Sequence, residues 1–181
     1  IQWLASLHQF SLNRQFDDLW PQGNYWHLAT RPVEFDAMPS SPLKSAAQAI
    51  DNKLQNAQYR CLIHGDAKLA NFCFNKIATA AAVDFQYIGA GIGAQDLVYF
   101  LGSCISEYEL ELYYDDWVNY YFNKLSEGLE PALSSQLEAE WRSLLPFVWA
   151  DFQRFVEGWC PGHHKDTDFS QYQTSVALSQ L

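Results

Sequence analysis

Basic side chains are scarce in this chain: its 181 residues hold 11 Lys and Arg against 21 Asp and Glu, a formal net charge of −10 with a pI near 4.7. A binding mode built on neutralising nucleic-acid phosphates would work against that field, so no nucleic-acid partner is expected and neutral or cationic small molecules fit better. Long apolar runs are missing as well. None approaches the roughly 18–20 residues of a membrane span, and no charged-then-apolar leader opens the chain, which predicts a cytoplasmic protein with no membrane partner. The four cysteines, Cys61, Cys73, Cys104 and Cys160, form no Cys-x-x-Cys pair, and three lie in apolar segments. They are expected as buried thiols in a reducing compartment. Charged residues make up 18% and hydrophobic ones 49%, a balance that excludes disorder and predicts one globular domain. An initiating Met is also missing, and IQWLASLHQF already reads as the middle of an amphipathic helix, so the expectation is a piece of a longer polypeptide.

What is present is helix, with a little strand. After the helix at residues 1–10, RQFDDLWPQGNYWHLATRPVEFDAMPSSP loses periodicity and reads as a long ordered loop with room for a short helical turn. Ser41 and Pro42 signal a helix start, and a helix is predicted over about 43–57. RCLIH, NFCFN and TAAAVDF are three short β-type runs, with NKIAT turning the second into the third. GAGIGAQD reads as a glycine-rich loop leading into a buried helix, LVYFLGSC. Three helical stretches follow: one from Glu107 to Gly128, one through Cys160 with a kink at Pro146, and one from about residue 167. The aromatic stripe YYDDWVNYYF at 113–122 has helical spacing and is read as core rather than as a cation cage. GNYWH at 23–27 and GWCPGHHK at 158–165 are candidates for substrate contact. His163 and His164 are adjacent, do not share a helix face, and are not read as a zinc site.

The chemistry concentrates in HGDAKLAN at 64–71 and, thirteen residues after its Asn, in VDFQ at 83–86. Transfer of a phosphoryl group needs metal ions to neutralise its oxygens, a carboxylate to orient or deprotonate the attacking hydroxyl, and a frame that keeps them in line. Magnesium prefers oxygen ligands, which Asp and the Asn amide supply. Asp66, Asn71 and Asp84 are that set.

HGDAKLAN resembles the catalytic loop of protein-kinase-like phosphotransferases, written H-R-D-x-K-x-x-N in protein kinases and H-G-D-x-x-x-x-N in aminoglycoside phosphotransferases and choline kinases, and DFQ falls where those enzymes carry D-F-G. With GNYWHLATRP upstream and VDFQYIGAG and QDLVYFLGSC downstream, the text looks like the ecdysteroid-kinase-like branch of that superfamily. The resemblance implies an α+β fold: the mostly helical C-terminal lobe of the kinase-like fold across residues 1–181. In it, a short β-hairpin sheet would carry the catalytic loop and metal hairpin at 60–86, with a helical substrate side at 105–181.

It also implies that Asp66 is the catalytic base, that Asn71 and Asp84 hold Mg2+ beside ATP, and that Lys68 lies against the γ-phosphate. His64 and Asp96 would be structural, the first bonded to backbone near Asp84 and the second accepting from the loop backbone or serving as a helix cap. Gly65 would let the chain turn tightly beside the base. Gln86 departs from the Gly or acid that usually follows the aromatic residue. The glycine-rich strand pair, the Lys on the α- and β-phosphates and its Glu partner are not found in these residues, so an N-terminal lobe of the same polypeptide is the expected partner. The implied activity is ATP- and Mg-dependent phosphorylation of a hydroxyl on a small molecule. The alternatives are an inactive kinase-like binding or scaffold module and a metal-dependent phosphohydrolase.

Overall fold

The computed structural model describes residues 1–77 and 79–181, and it is mostly helical with two small antiparallel sheets, an α+β arrangement. The helices are α1 (Gln2–Ser11), α2 (Pro32–Ala37), α3 (Pro42–Gln55), α4 (Gly93–Cys104), α5 (Glu107–Ser126), α6 (Pro131–Trp159) and α7 (Asp168–Ser179). The strands are β1 (Cys61–Ile63), β2 (Phe72–Phe74), β3 (Ala80–Ala82) and β4 (Gly89–Gly91).

Local chemistry explains most of the boundaries. Ser41 Oγ accepts from Lys44 N at 3.1 Å while Pro42 occupies the first helical position, so α3 begins where a donor would otherwise be orphaned. Ser106 and Glu109 exchange side-chain and backbone bonds across the first turn of α5, and Thr167 and Ser170 do the same for α7. α6 runs as one helix through Pro146 and is the central beam, packed on α2, α3, α4 and α7. Its apolar positions from Trp141 to Ala150 are buried in a core that also takes Leu97 and Leu101 of α4, Ile50 and Leu54 of α3, and Val118, Tyr121 and Phe122 of α5, while Phe152, Phe155 and Val156 pack in a second cluster with Trp26 and Tyr99. The aromatic stripe is thus largely core, although Tyr113 and Tyr120 stay exposed.

Three expectations change. The predicted single hairpin sheet is two sheets. RCLIH does not pair with NFCFN; β1 pairs with β4 in the register Cys61↔Gly91, Leu62↔Ala90, Ile63↔Gly89, and β2 pairs with β3 as Phe72↔Ala82, Cys73↔Ala81, Phe74↔Ala80. The glycine-rich stretch that reads as loop therefore supplies a strand. A side chain on Gly89 would meet the Trp20 carbonyl at 2.4 Å, so the close crossing of residues 20–23 demands the glycine that lowers strand propensity. α4 also begins earlier than LVYFLGSC, at Gly93, with Gln95 Oε1 accepting from Ile92 N at 3.1 Å, which puts Asp96 inside the first turn rather than at the cap.

The cysteines are the third correction. All four are free, but only Cys61 is buried, Cys73 is exposed, and Cys104 and Cys160 are intermediate. Cys73 sits mid-strand in a two-stranded ribbon where Phe72 is buried but Cys73 and Phe74 are exposed. Part of the NKIAT turn, at residue 78, lies outside the described residues; Asn75 Oδ1 accepts from Ile77 N and Thr79 N on either side of it. No helix among the described residues is long and apolar enough to cross a membrane.

Candidate active site

The segment between β1 and β2 is where the two sheets meet. Leaving Ile63, the backbone is seized by a single side chain. Asp96, 1% exposed on α4, accepts from His64 N at 2.6 Å through Oδ2 and from Gly65 N at 3.0 Å through Oδ1. Its Oδ2 also faces Nε2 of the fully buried His8 on α1 at 3.1 Å, and His8 Nδ1 faces the Tyr121 hydroxyl of α5 at 2.7 Å. Because a carboxylate can only accept, His8 Nε2 is the donor. Three helices thereby hold the start of the loop.

Gly65 turns with φ +79°, and a Cβ there would stand 2.3 Å from the Tyr87 carbonyl oxygen and 2.7 Å from Asn24 N. Both obstacles are backbone and cannot swing aside. Gly65→Ala is expected to cost about 2 kcal/mol or more of stability, from left-handed strain plus overpacking. A lowered midpoint in urea unfolding checks this, and an unchanged midpoint refutes it.

His64 is wholly buried, its Nε2 donating to the Val83 carbonyl at 2.9 Å and its Nδ1 accepting from Asp66 N at 3.3 Å. This pairing fixes one neutral tautomer and ties the loop to the chain just before Asp84. Phe85 and Phe72 lie against the imidazole at centroid distances of 4.8 and 6.0 Å.

Asp66 follows, 3% exposed. Its Oδ2 accepts from Lys68 Nζ at 2.8 Å and Asn71 Nδ2 at 2.9 Å, while Asn71 Nδ2 also donates to the Asp66 carbonyl at 2.8 Å. Its other carboxylate oxygen, Oδ1, is buried and has no hydrogen-bond partner among the described residues. Asn71 closes a 3-10 turn at Leu69–Asn71, and because its side-chain nitrogen Nδ2 is engaged by Asp66, its side-chain oxygen Oδ1 is left for another donor or a metal.

Asp84 stands one residue beyond Val83, whose N–H donates to the Asn71 carbonyl at 2.9 Å, so the β2–β3 ladder carries Asp84 alongside the Asn71 turn. It is exposed and left-handed, with φ +65°, a conformation that Asp tolerates better than most residues. The sequence expected it at the end of a strand; β3 stops at Ala82 and Asp84 lies past it. Among the described residues no three His, Cys, Asp or Glu side chains cluster as a metal site. The expected set has two carboxylates and an amide, and Asn71 falls outside those four residue types.

On the far side of Asp66 lies an aromatic wall that only GNYWH hinted at. Tyr25 and Tyr99 share a hydroxyl contact of 3.1 Å, Trp26 and Phe155 pack edge-on to Tyr25, and Phe152 packs edge-on to Tyr99. Burial pushes the Tyr25 hydroxyl up to about 12 and Tyr99 higher still, with the nearby Asp66 charge adding to both. Tyr99 thus stands close to Asp66 without supplying Oδ1 with a hydrogen bond of ordinary geometry. Lys165, from the α6–α7 loop, lies over the Tyr99 ring at 4.4 Å and the Phe152 ring at 5.4 Å. Burial lowers its pKa to about 8, against the attraction of Asp66 and with the help of Lys68. Its sequence signal was no more than membership of the HHK run.

A family description, the ecdysteroid kinase-like family, matches residues 12–133, two thirds of the sequence and every one of the residues from His64 to Asp96. The chain belongs to the ecdysteroid kinase-like family. Membership puts it in the protein-kinase-like small-molecule kinase superfamily, whose phosphotransferase chemistry is of the kind the loop was read for. No curated protein and no solved structure matches the chain. Lys165 and most of α6 lie beyond the matched residues.

Proposed function

We propose that the chain carries the catalytic half of an ATP-dependent kinase that phosphorylates a hydroxyl of a small molecule. The observation that carries this reading is the division of labour within one carboxylate: Asp66 Oδ2 is anchored by Lys68 and Asn71, while Oδ1 is buried and has no hydrogen-bond partner of ordinary geometry among the described residues. A buried acceptor without a donor costs about 1–3 kcal/mol, and a hydroxyl presented at that oxygen would recover it. In the reaction, the acceptor oxygen bonds to the γ-phosphorus, the bond from that phosphorus to the β,γ-bridging oxygen breaks, the hydroxyl proton passes towards Asp66, and ADP departs. Lys68 is placed to exchange Asp66 for a phosphate oxygen.

Asn71 and Asp84 are the oxygen donors suited to magnesium, with the Asn71 side-chain amide already turned so that its Oδ1 is available. Magnesium bound there would supply charge neutralisation at the β- and γ-phosphates. The glycine-rich cover for the nucleotide is assigned to an N-terminal lobe of the same polypeptide.

The test is ATP consumption by the full-length protein with and without a panel of hydroxyl acceptors. Acceptor-dependent turnover supports a kinase; acceptor-independent turnover would indicate a phosphohydrolase, and none a binding module. Asp84→Asn, which tolerates the same left-handed backbone, is expected to weaken magnesium-dependent nucleotide binding beyond the about 10–100-fold typical of residues that merely support a ligand. Titration calorimetry on the full-length protein reads it out, and affinity equal to wild type would remove Asp84 from the metal site.

A further inference from the structure

The Asp66 carboxylate feels two ammonium groups, and among the described residues only Lys68 is ion-paired to it, at 2.8 Å. Lys165 is held by aromatic faces rather than by an acid: Tyr99 from α4 and Phe152 from α6 cover it, and its closest acidic neighbour in sequence, Asp166, is engaged by Gln153 at 2.7 Å and by Gln171 at 2.9 Å. Beside Lys165 opens a cavity of about 380 Å³ whose walls include Ser103, Cys104, Glu107, Phe152 and His164. Glu107, the acid in that wall, is committed to Phe169 N at 3.0 Å, and Ser103 Oγ accepts from Leu69 N at 2.9 Å, which ties the cavity to the loop that bears Asp66 and Asn71.

A partly desolvated ammonium with no acid of its own is stabilised by an anion that arrives with a ligand. We infer that Lys165 is a substrate-contacting residue for the transfer reaction, taking an oxygen of the phosphoryl group as that group settles on the acceptor, whose body occupies the adjoining cavity. This rests on the kinase reading above. When Lys68 follows the nucleotide phosphates, Lys165 remains as the cation on the acceptor side of Asp66. Charge accumulating on the transferred oxygens then meets two ammoniums.

The electrostatics set the expected pH response. Lys165 faces Asp66 and Lys68 from the loop, Tyr99 and through it Tyr25 from the aromatic wall, Glu107 across the cavity, and His163 and His164 on its own segment. Burial lowers its pKa to about 8, so the cation is present below that pH and is lost as pH rises through it, and turnover is expected to fall along the same limb.

The experiment uses full-length protein with 13C-dimethylated lysines, in which the resonance missing from Lys165→Arg identifies Lys165. Inorganic phosphate is expected to move its titration upward in pH, and Asp66→Asn to move it downward. Lys165→Met is expected to lower kcat by about 100-fold and abolish the alkaline limb, while Lys165→Arg retains most of the activity. A titration unmoved by phosphate, or a Met variant with a wild-type pH profile, overturns the assignment. Should Asp66→Asn leave turnover intact while phosphate still shifts Lys165, the transfer reading fails and the anion site stands.

Discussion

Asp66→Asn is expected to lower kcat by about 10²–10⁴-fold while leaving the protein folded. The substitution keeps size and shape, and a carboxamide oxygen can still accept from Lys68 and Asn71, which in the native chain lie 2.8 and 2.9 Å from Oδ2. The amide nitrogen would then occupy the position of Oδ1, where a donor cannot receive an acceptor's proton. The effect should therefore fall on the chemical step, with the KM for ATP little changed, because the nucleotide is held by other residues. Steady-state kinetics of the full-length variant, beside its thermal unfolding curve, separates loss of the base from loss of the fold. A variant with unchanged kcat would leave Asp66 as a purely structural carboxylate and would favour the binding-module alternative.

Much of this centre was legible because its residues act locally. The helices α3, α5 and α7 start at Ser or Thr caps that are visible as letters, and HGDAKLAN and VDFQ are short motifs whose spacing a loop and a hairpin can satisfy. What was illegible depends on contacts across the fold. β4 is Gly-Ala-Gly, weak strand material that pairs because β1 lies beside it and residues 20–23 cross too closely for side chains. The short helix α2 hid in a segment crowded with Pro and aromatics, although Pro32 at its first position was a usable sign. Lys165 lies 99 residues from Asp66 in the sequence, and nothing in HHK tells it apart from a solvated lysine until α4 and α6 bring Tyr99 and Phe152 beneath it.

His8 shows the same limit from the other end. In IQWLASLHQF it is one of four polar residues on an amphipathic helix, yet it completes a buried chain from Asp96 to Tyr121 that spans three helices. The matched family segment starts at residue 12, so α1 lies outside it while holding the loop that the family match contains.

That chain makes Asp96→Ala the variant with the largest expected loss of stability, about 3–5 kcal/mol. Truncation leaves His64 N, Gly65 N and His8 Nε2 without their acceptor in a region where none of the three residues reaches solvent, and each orphaned donor costs about 1–3 kcal/mol. Asp96→Asn should cost less, because its amide oxygen can still accept from one or two of these donors while its nitrogen opposes the third. Tyr121→Phe, which removes only the outer hydroxyl at 2.7 Å from His8 Nδ1, should cost least, about 1 kcal/mol. Urea unfolding of the three full-length variants tests the order, and hydrogen exchange at the His64 and Gly65 amides tests its cause. If the bonds to Asp96 hold the loop, those two amides exchange faster in Asp96→Asn than in Tyr121→Phe, and kcat falls with them because Asp66 is one residue away. Equal exchange in all variants would mean that the two sheets hold the loop and that Asp96 is a passenger on α4.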